Sequence, residues 1–383
     1  MRWRALRPVG EQLGPIRADI RPDGVLPAGF QAFFVQSGTA ALALALLTTK
    51  AHALPSRTRV ILPAYGCPDL VAATVYAGLE PHLVDTAQDS PFYDHEELAR
   101  ELDDRVLAVV CAHFLGFREQ VAEVAAIANS AGITVIEDSA QAIPPLDGSG
   151  LADLVTMSFG RGKPAGALGG GCLLARGVWA DRVHHRHIGT AEKSRMPLHL
   201  KRILFNLAIS PPVYGPLARS GAFGIGETRY RPLPAINALN HYSTQAALNQ
   251  VQLARSFGTP NTARIESFLR AISQASNMAP APWIEKGIGC GLITRLPLVA
   301  PTKRLRDHLH ERLQALGLGS SVMYGQWLPE VAGVPTLAMP ATDRAKSLAE
   351  RLLTLPVHSG VGQHHFDRII STVTPMSTGT EIR

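Results

Sequence analysis

RVILPAYGCPDLVAATVYAGLEPHLVD, residues 59–85, sets two apolar β-branched runs on either side of one alanine-rich stretch. Pro68 suits the first turn of a helix and Gly78 its end, so the segment reads as strand, helix, strand. The same alternation extends in both directions. FFVQ (33–36) precedes TAALALALLTTKA (39–51), and DHEELARELD (94–103) follows EPHLVD (80–85). RVLAVVCAH (105–113) precedes EQVAEVAAIANSA (119–131), and ITVIED (133–138), DLVTMSF (153–159) and GGGCLLAR (169–176) complete the series. Nearly continuous apolar strands alternating with helices predict a large, mostly parallel, doubly wound α/β sheet. Such sheets bind ligands beyond the carboxyl ends of their strands, so polar residues directly after strands carry the functional weight.

The flanks are less regular. Residues 1–27, with Arg at 2, 4, 7, 17 and 21, read as an arm. We place the large domain at 28–255 and a smaller C-terminal α+β domain at 256–373. The smaller domain is built from strand-like GLITRLPLVA (291–300) and helix-like LRDHLHERLQALG, DRAKSLAERLLTL and FDRIISTV. Residues 374–383 read as a frayed tail. HYSTQAALNQVQLARSF (241–257) reads as one helix. Residues 184–235 form an irregular excursion: HHRH (184–187) opens a basic segment, and KRILFNLAISPPVYGPLA (201–218) is apolar but broken by prolines. A packed helix plus loop is favoured for the latter over a dimer contact or a membrane-edge patch.

The chain has 383 residues, 46% hydrophobic and 18% charged, which excludes disorder and allows a large core. The net charge of +6 is small for the length and reads as dispersed, which disfavours nucleic acid. Cys67, Cys111, Cys172 and Cys290 lie far apart, so neither a cysteine-based metal site nor a disulfide framework is expected. With no apolar run of about 18 residues and no signal-peptide core, we expect a cytoplasmic protein without a membrane span.

Four strand-end motifs remain. Ser37-Gly38-Thr39 opens a helix and reads either as a plain N-cap or as a phosphate site. Pro63-Ala64-Tyr65-Gly66-Cys67-Pro68 carries Tyr65, either a stacking partner for a flat ligand or a core aromatic. Asp138 ends ITVIED, as a cap or as the partner of a ligand cation, with Gln141 three residues on. Ser158-Phe159-Gly160-Arg161-Gly162-Lys163 places one lysine in a glycine-rich loop, where it can meet phosphate, act as an amine nucleophile or stay exposed. A P-loop is rejected because Pro164 follows Lys163, and a dinucleotide fingerprint because QSGTAA stands in its place. Taken together, the order of phosphate turn, aromatic turn, strand-end Asp, Ser-Phe and loop lysine suits pyridoxal 5'-phosphate, which needs an amine, an acid beside its ring nitrogen and a helix N-terminus.

SGTAALALALL, the 59–85 segment, AHFLG (112–116), ITVIEDSAQA, SFGRGKPAGALGGG, QAALNQVQL (245–253) and LPVHSGVGQHHFDRII (355–370) resemble the DegT/DnrJ/EryC1/StrS sugar aminotransferases, which are fold type I pyridoxal-phosphate enzymes. The resemblance implies that Lys163 forms the Schiff base, Asp138 pairs with the pyridine nitrogen, Gln141 reaches the ring hydroxyl side and Tyr65 stacks on the ring. Gly38, Thr39 and Ser158 would hold the phosphate. It also places His113 in the family's strand-end histidine motif, with a core residue or a support for the site residues as equal alternatives. It implies a homodimer and transfer of an amino group from an amino acid to a keto group, on a nucleotide-linked sugar. Relatives that dehydrate sugars carry histidine at the lysine position, so Lys163 favours transamination. The substrate half departs from the family: Lys163 is followed by Pro164, Asn237–Tyr242 lacks the usual arginine, and Tyr324-Gly325-Gln326-Trp327-Leu328-Pro329 lacks the usual histidine. A non-sugar ketone or amine as substrate, or a pyridoxal-phosphate-binding scaffold without turnover, are the alternatives.

Overall fold

A computed structural model describes residues 5–7, 9–15, 17, 19–191, 196–219, 228–275, 283–284, 292–335 and 341–374. Residues 1–4 of the expected arm, Cys290 and residues 375–383 of the expected tail lie outside them. A seven-stranded sheet runs in the order β1-β7-β6-β5-β4-β2-β3. Its strands are β1 (Gln31–Val35), β2 (Arg59–Pro63), β3 (Glu80–Val84), β4 (Val106–Ala112), β5 (Thr134–Asp138), β6 (Leu154–Ser158) and β7 (Gly171–Ala175). β3, β2, β4, β5 and β6 pair in parallel, and β7 is antiparallel to both β6 and β1. β1 therefore points the same way as β6, and the carboxyl ends of β1, β2, β4, β5 and β6 share one edge.

Helices cover both faces because successive strand residues point to opposite sides. Val60, Leu62, Leu83, Val110 and Leu173 pack against α1 (Gly38–Lys50) and α2 (Pro68–Tyr76). Ile61, Val84, Val109 and Val135 pack against α3 (His95–Glu101) and α4 (Val121–Asn129). α1 is buried nearly all round, as its run of alanine and leucine requires. Small side chains let it lie close to the sheet.

The helix expected at 241–257 runs from His241 to Ala275, through Gly258, Pro260 and the expected domain boundary at 255. A proline inside a helix costs ~3 kcal/mol. Burial on both sides of the break offsets that cost: Ala247, Leu248 and Val251 before it, Ile265, Phe268, Leu269 and Ile272 after it. The second half packs on the C-terminal part, where Phe268 meets Phe366 at 4.4 Å between ring centroids. That part holds β8 (Arg295–Val299) antiparallel to β9 (Leu352–Pro356), with helices Lys303–Ala315, Asp343–Arg351 and Gln363–Val373. The segment 201–218 forms two helices, Leu198–Ala208 and Pro211–Arg219, with Pro211 and Pro212 opening the second. No helix among the described residues is long and apolar enough to cross a membrane.

The described part of the N-terminal arm is docked. Leu6 N–H donates to Gly317 O at 2.9 Å, and His358 Nε2–H donates to Arg7 O at 3.0 Å. His358 Nδ1 accepts from Gly360 N–H at 3.1 Å, so the ring is satisfied only when neutral. Burial first, then the charge of Arg7, lowers its pKa to about 3 from the usual 6.5. The unfolded chain therefore takes up a proton near pH 6.5 that the folded chain refuses until near pH 3. His358 contributes fully above pH 6.5, and its contribution fades as pH falls toward 3, on the order of 5 kcal/mol in all. Urea midpoints measured across this window should fall less steeply for His358→Gln than for the wild type. Equal slopes would exclude His358 as the acid-labile group.

Candidate active site

Gly38, Thr39, Tyr65, Asp138, Gln141, Ser158 and Lys163 line one cleft at the carboxyl edge of the sheet. Its empty volume is about 600 Å³, including solvent at its mouth. Residues from four strand ends and one loop, spread over 126 positions of sequence, are brought together by the shared strand direction.

The floor is the start of α1. Ser37 is the N-cap: its Oγ accepts from Ala40 N–H at 3.1 Å, as the plain-cap reading expects. Ala41 N–H returns to Ser37 O, and the turn is bridged in parallel to Gly170, whose N–H donates to Gln36 O at 3.1 Å; the Thr39 N–H is left without a hydrogen bond among the described residues. This free donor and the positive end of the helix dipole form an anion site. A Cβ at Gly38 would lie 2.6 Å from Ser158 Cβ and 2.9 Å from its Oγ, so only glycine lets β6 approach the turn. Gly171 is confined in the same way: a Cβ there would lie 2.2 Å from Ser37 O. The GGG run is thus a seat for the β1–α1 turn.

Asp138 ends β5. Its Oδ1 accepts from Ala140 N–H and Thr156 Oγ1, each at 3.0 Å, while Oδ2 has no protein partner among the described residues. Burial pushes its carboxyl above the usual range, against the opposing pull of Lys163, the Ala140 N–H, Thr156 and His113. A carboxylate with one oxygen fixed and the other free in a low-dielectric cleft is poised to pair with a ligand cation or N–H. Lys163 is half-buried, on the loop whose turn is closed by Lys163 N–H to Gly160 O and Gly166 N–H to Lys163 O.

Tyr65 and Gln141 differ from their expected surroundings, and His113 takes one of those left open. Tyr65 is 1% exposed, with its ring edge-on to Phe114 and Tyr324 at 5.7 and 5.5 Å, so it forms the wall as a core aromatic and offers no open stacking face. Gln141 accepts from Leu115 N–H at 3.2 Å and donates to the Tyr324 hydroxyl at 2.6 Å. His113 is fully engaged: Nδ1 accepts from Glu119 N–H at 3.1 Å and Nε2 donates to Glu137 at 2.7 Å, so it is a supporting residue rather than a free base. Burial raises the Glu137 carboxyl, but the bond to His113 and the charges of His113 and Arg118 outweigh it and hold the pKa below the ordinary value.

Cys67, Asp69, Phe114 and Tyr324 also line the cleft without having been singled out as site residues. Burial, then Asp69, pushes the Cys67 thiol up to about 12, so it stays protonated at neutral pH. The Tyr324 hydroxyl, held well above its usual pKa mainly by burial, accepts from Gln141 and keeps its own proton to donate. The only signal for it was the Tyr324-Gly325-Gln326-Trp327 segment, in which the tyrosine could be matched but not placed. No group of three His, Cys, Asp or Glu side chains among the described residues is arranged to hold a metal.

Residues 30–178 match the model of the DegT/DnrJ/EryC1/StrS aminotransferase family. Over 144 residues the chain is 33% identical to a UDP-N-acetyl-3-dehydro-alpha-D-glucosamine 3-aminotransferase of Acidithiobacillus ferrooxidans, covering 36% of this chain and 38% of that protein. Over 171 residues it is 30% identical to the protein MosB of Rhizobium meliloti, covering 44% and 33%. The matched stretches thus span little more than a third of those relatives. The fold extends further. A DegT DnrJ EryC1 StrS aminotransferase from Brucella abortus superposes with a TM-score of 0.66 at 20% identity, over 91% of this chain and 86% of that one. The Helicobacter pylori aminotransferase PseC, involved in pseudoaminic acid biosynthesis, gives 0.68 at 16% identity over 90% and 85%.

Proposed function

We propose, from a chain whose residues 30–178 match the DegT/DnrJ/EryC1/StrS aminotransferase family, that this protein is a pyridoxal 5'-phosphate-dependent aminotransferase. It converts a keto group, on a nucleotide-linked sugar, to an amine with an amino acid as donor. One observation carries the reading: a lysine amine, a half-buried carboxylate with one free oxygen, and a helix N-terminus whose Thr39 N–H is free among the described residues converge on one cleft.

That donor set fits the cofactor. The glycine cradle at Gly38, with the Thr39 and Ser158 hydroxyls, would take the phosphate, Asp138 would pair with the ring nitrogen, and Lys163 would meet the aldehyde. Bound there, pyridoxal phosphate supplies an aldehyde that condenses with amines and a protonated ring that withdraws electrons from the reacting bond. The chain does the rest. Asp138, oriented by Thr156 and Ala140, would hold a proton on the ring nitrogen. Lys163 Nζ would hold the cofactor and serve as the base that takes up and returns the proton moved during transfer. Tyr65 closes the wall, and Gln141 orients the Tyr324 hydroxyl, which keeps its proton to donate into the cleft.

The acceptor rests on the relatives, one of them a UDP-sugar 3-aminotransferase by name. The enzyme works as a cytoplasmic homodimer whose second subunit completes the substrate half. The test is reconstitution with pyridoxal phosphate, then borohydride reduction and peptide mapping, with a spectral titration against L-glutamate. Label at Lys163 and a glutamate-dependent spectral change support the reading. Absence of label sinks the cofactor assignment, and label without response to any amino acid leaves a non-catalytic binder.

A further inference from the structure

The helix Leu198–Ala208 carries an apolar stripe that faces outward. Leu200, Ile203, Leu204 and Leu207 are 40, 53, 47 and 56% exposed. Their i, i+3, i+4, i+7 spacing sets them on one helix face. The helix cannot simply roll to bury them. On its other side Leu198 packs on the second core, and Asn206 grips Leu13 twice, accepting from its N–H at 2.8 Å and donating to its carbonyl at 2.9 Å. Stripes of this kind are uncommon on monomer surfaces and mark an interaction face.

The charge around it selects the partner. Residues 182–240 contain nine Lys and Arg against two acids, Glu192 and Glu227, a net +7 that exceeds the +6 of the whole chain. The excess is therefore not dispersed, as the total suggested, but gathered in the segment that holds the stripe. His199 and Lys201 lie on the helix beside the stripe, while Arg202 turns to its inner side with Leu198 and Leu13. A twofold axis through the stripe would set the same cations of two copies against each other, so the proposed homodimer is better served by another face. Nucleic acid would satisfy the cations but leave four aliphatic side chains in water. An anionic bilayer surface takes both, the stripe among the acyl chains and the cations at the headgroups. We infer that the face formed by Leu200, Ile203, Leu204 and Leu207 docks on an anionic phospholipid membrane. This does not depend on the proposed activity.

Co-sedimentation of the full chain with vesicles tests it, comparing phosphatidylcholine alone with phosphatidylcholine containing roughly one-third phosphatidylglycerol. The wild type should bind the anionic vesicles at least about tenfold better than the neutral ones, and release in high salt. Ile203→Asp with Leu207→Asp should lower that binding at least about tenfold while mass in solution and melting temperature stay unchanged. Wild-type protein that stays in the supernatant with both vesicles overturns the inference. So does a double variant that binds like the wild type. A double variant that halves the mass in solution shows instead that a second copy covers the stripe, and also overturns it.

Discussion

Lys163→Ala is expected to lower transamination by on the order of 10³-fold and to abolish borohydride labelling of the chain, while the protein still folds. The expectation follows from position. Lys163 is half-buried in the cleft, opposite Asp138, on a loop held by its own turn hydrogen bonds, so removing its side chain leaves the wall in place. The Thr39 N–H at the start of α1 and the Ser158 hydroxyl remain, so the proposed phosphate seat is kept. The variant should therefore take up cofactor, lose it readily on gel filtration, and show little turnover. Turnover within roughly tenfold of the wild type would remove Lys163 from the chemistry.

Asp138→Asn should cost about 10²-fold in turnover with much less effect on cofactor retention. Asparagine preserves the acceptor that Ala140 N–H and Thr156 Oγ1 use, so the strand end stays packed. What changes is the free atom. An amide N–H2 donates where Asp138 Oδ2 accepts, so it favours an unprotonated ring nitrogen and weakens the electron withdrawal that transfer needs. The split between turnover and retention separates this role from a packing role. Equal losses in both would assign Asp138 to structure alone.

The fold and the gathering of the strand-end residues were legible because each feature is local. An apolar run that stops at a polar residue announces a strand end, and the parallel topology then carries Ser37, Asp138 and Ser158 to one edge without further information. Gly38 was legible as a turn, but the reason it must be glycine, the approach of Ser158, exists only in three dimensions. Tyr324 escaped because it lies 183 residues from Gln141, its partner. Tyr65 was weighed correctly as an aromatic of the wall or of the stack, but only burial chose between them. The long helix was cut short at Gly258 and Pro260 because local propensity says nothing of the burial waiting on both sides. The charge of 182–240 was hidden by a total taken over the whole chain.

The Gln141–Tyr324 hydrogen bond also sets the order in which the protein is finished. Every other wall residue of the cleft is on the chain by position 163, but the wall is closed from the far end of the sequence. A nascent or C-terminally truncated chain has the lysine, the carboxylate and the phosphate seat, yet only an incomplete pocket around them. Closure of the cleft is then a late event in biogenesis, and a complete wall marks that the C-terminal part of the polypeptide has docked.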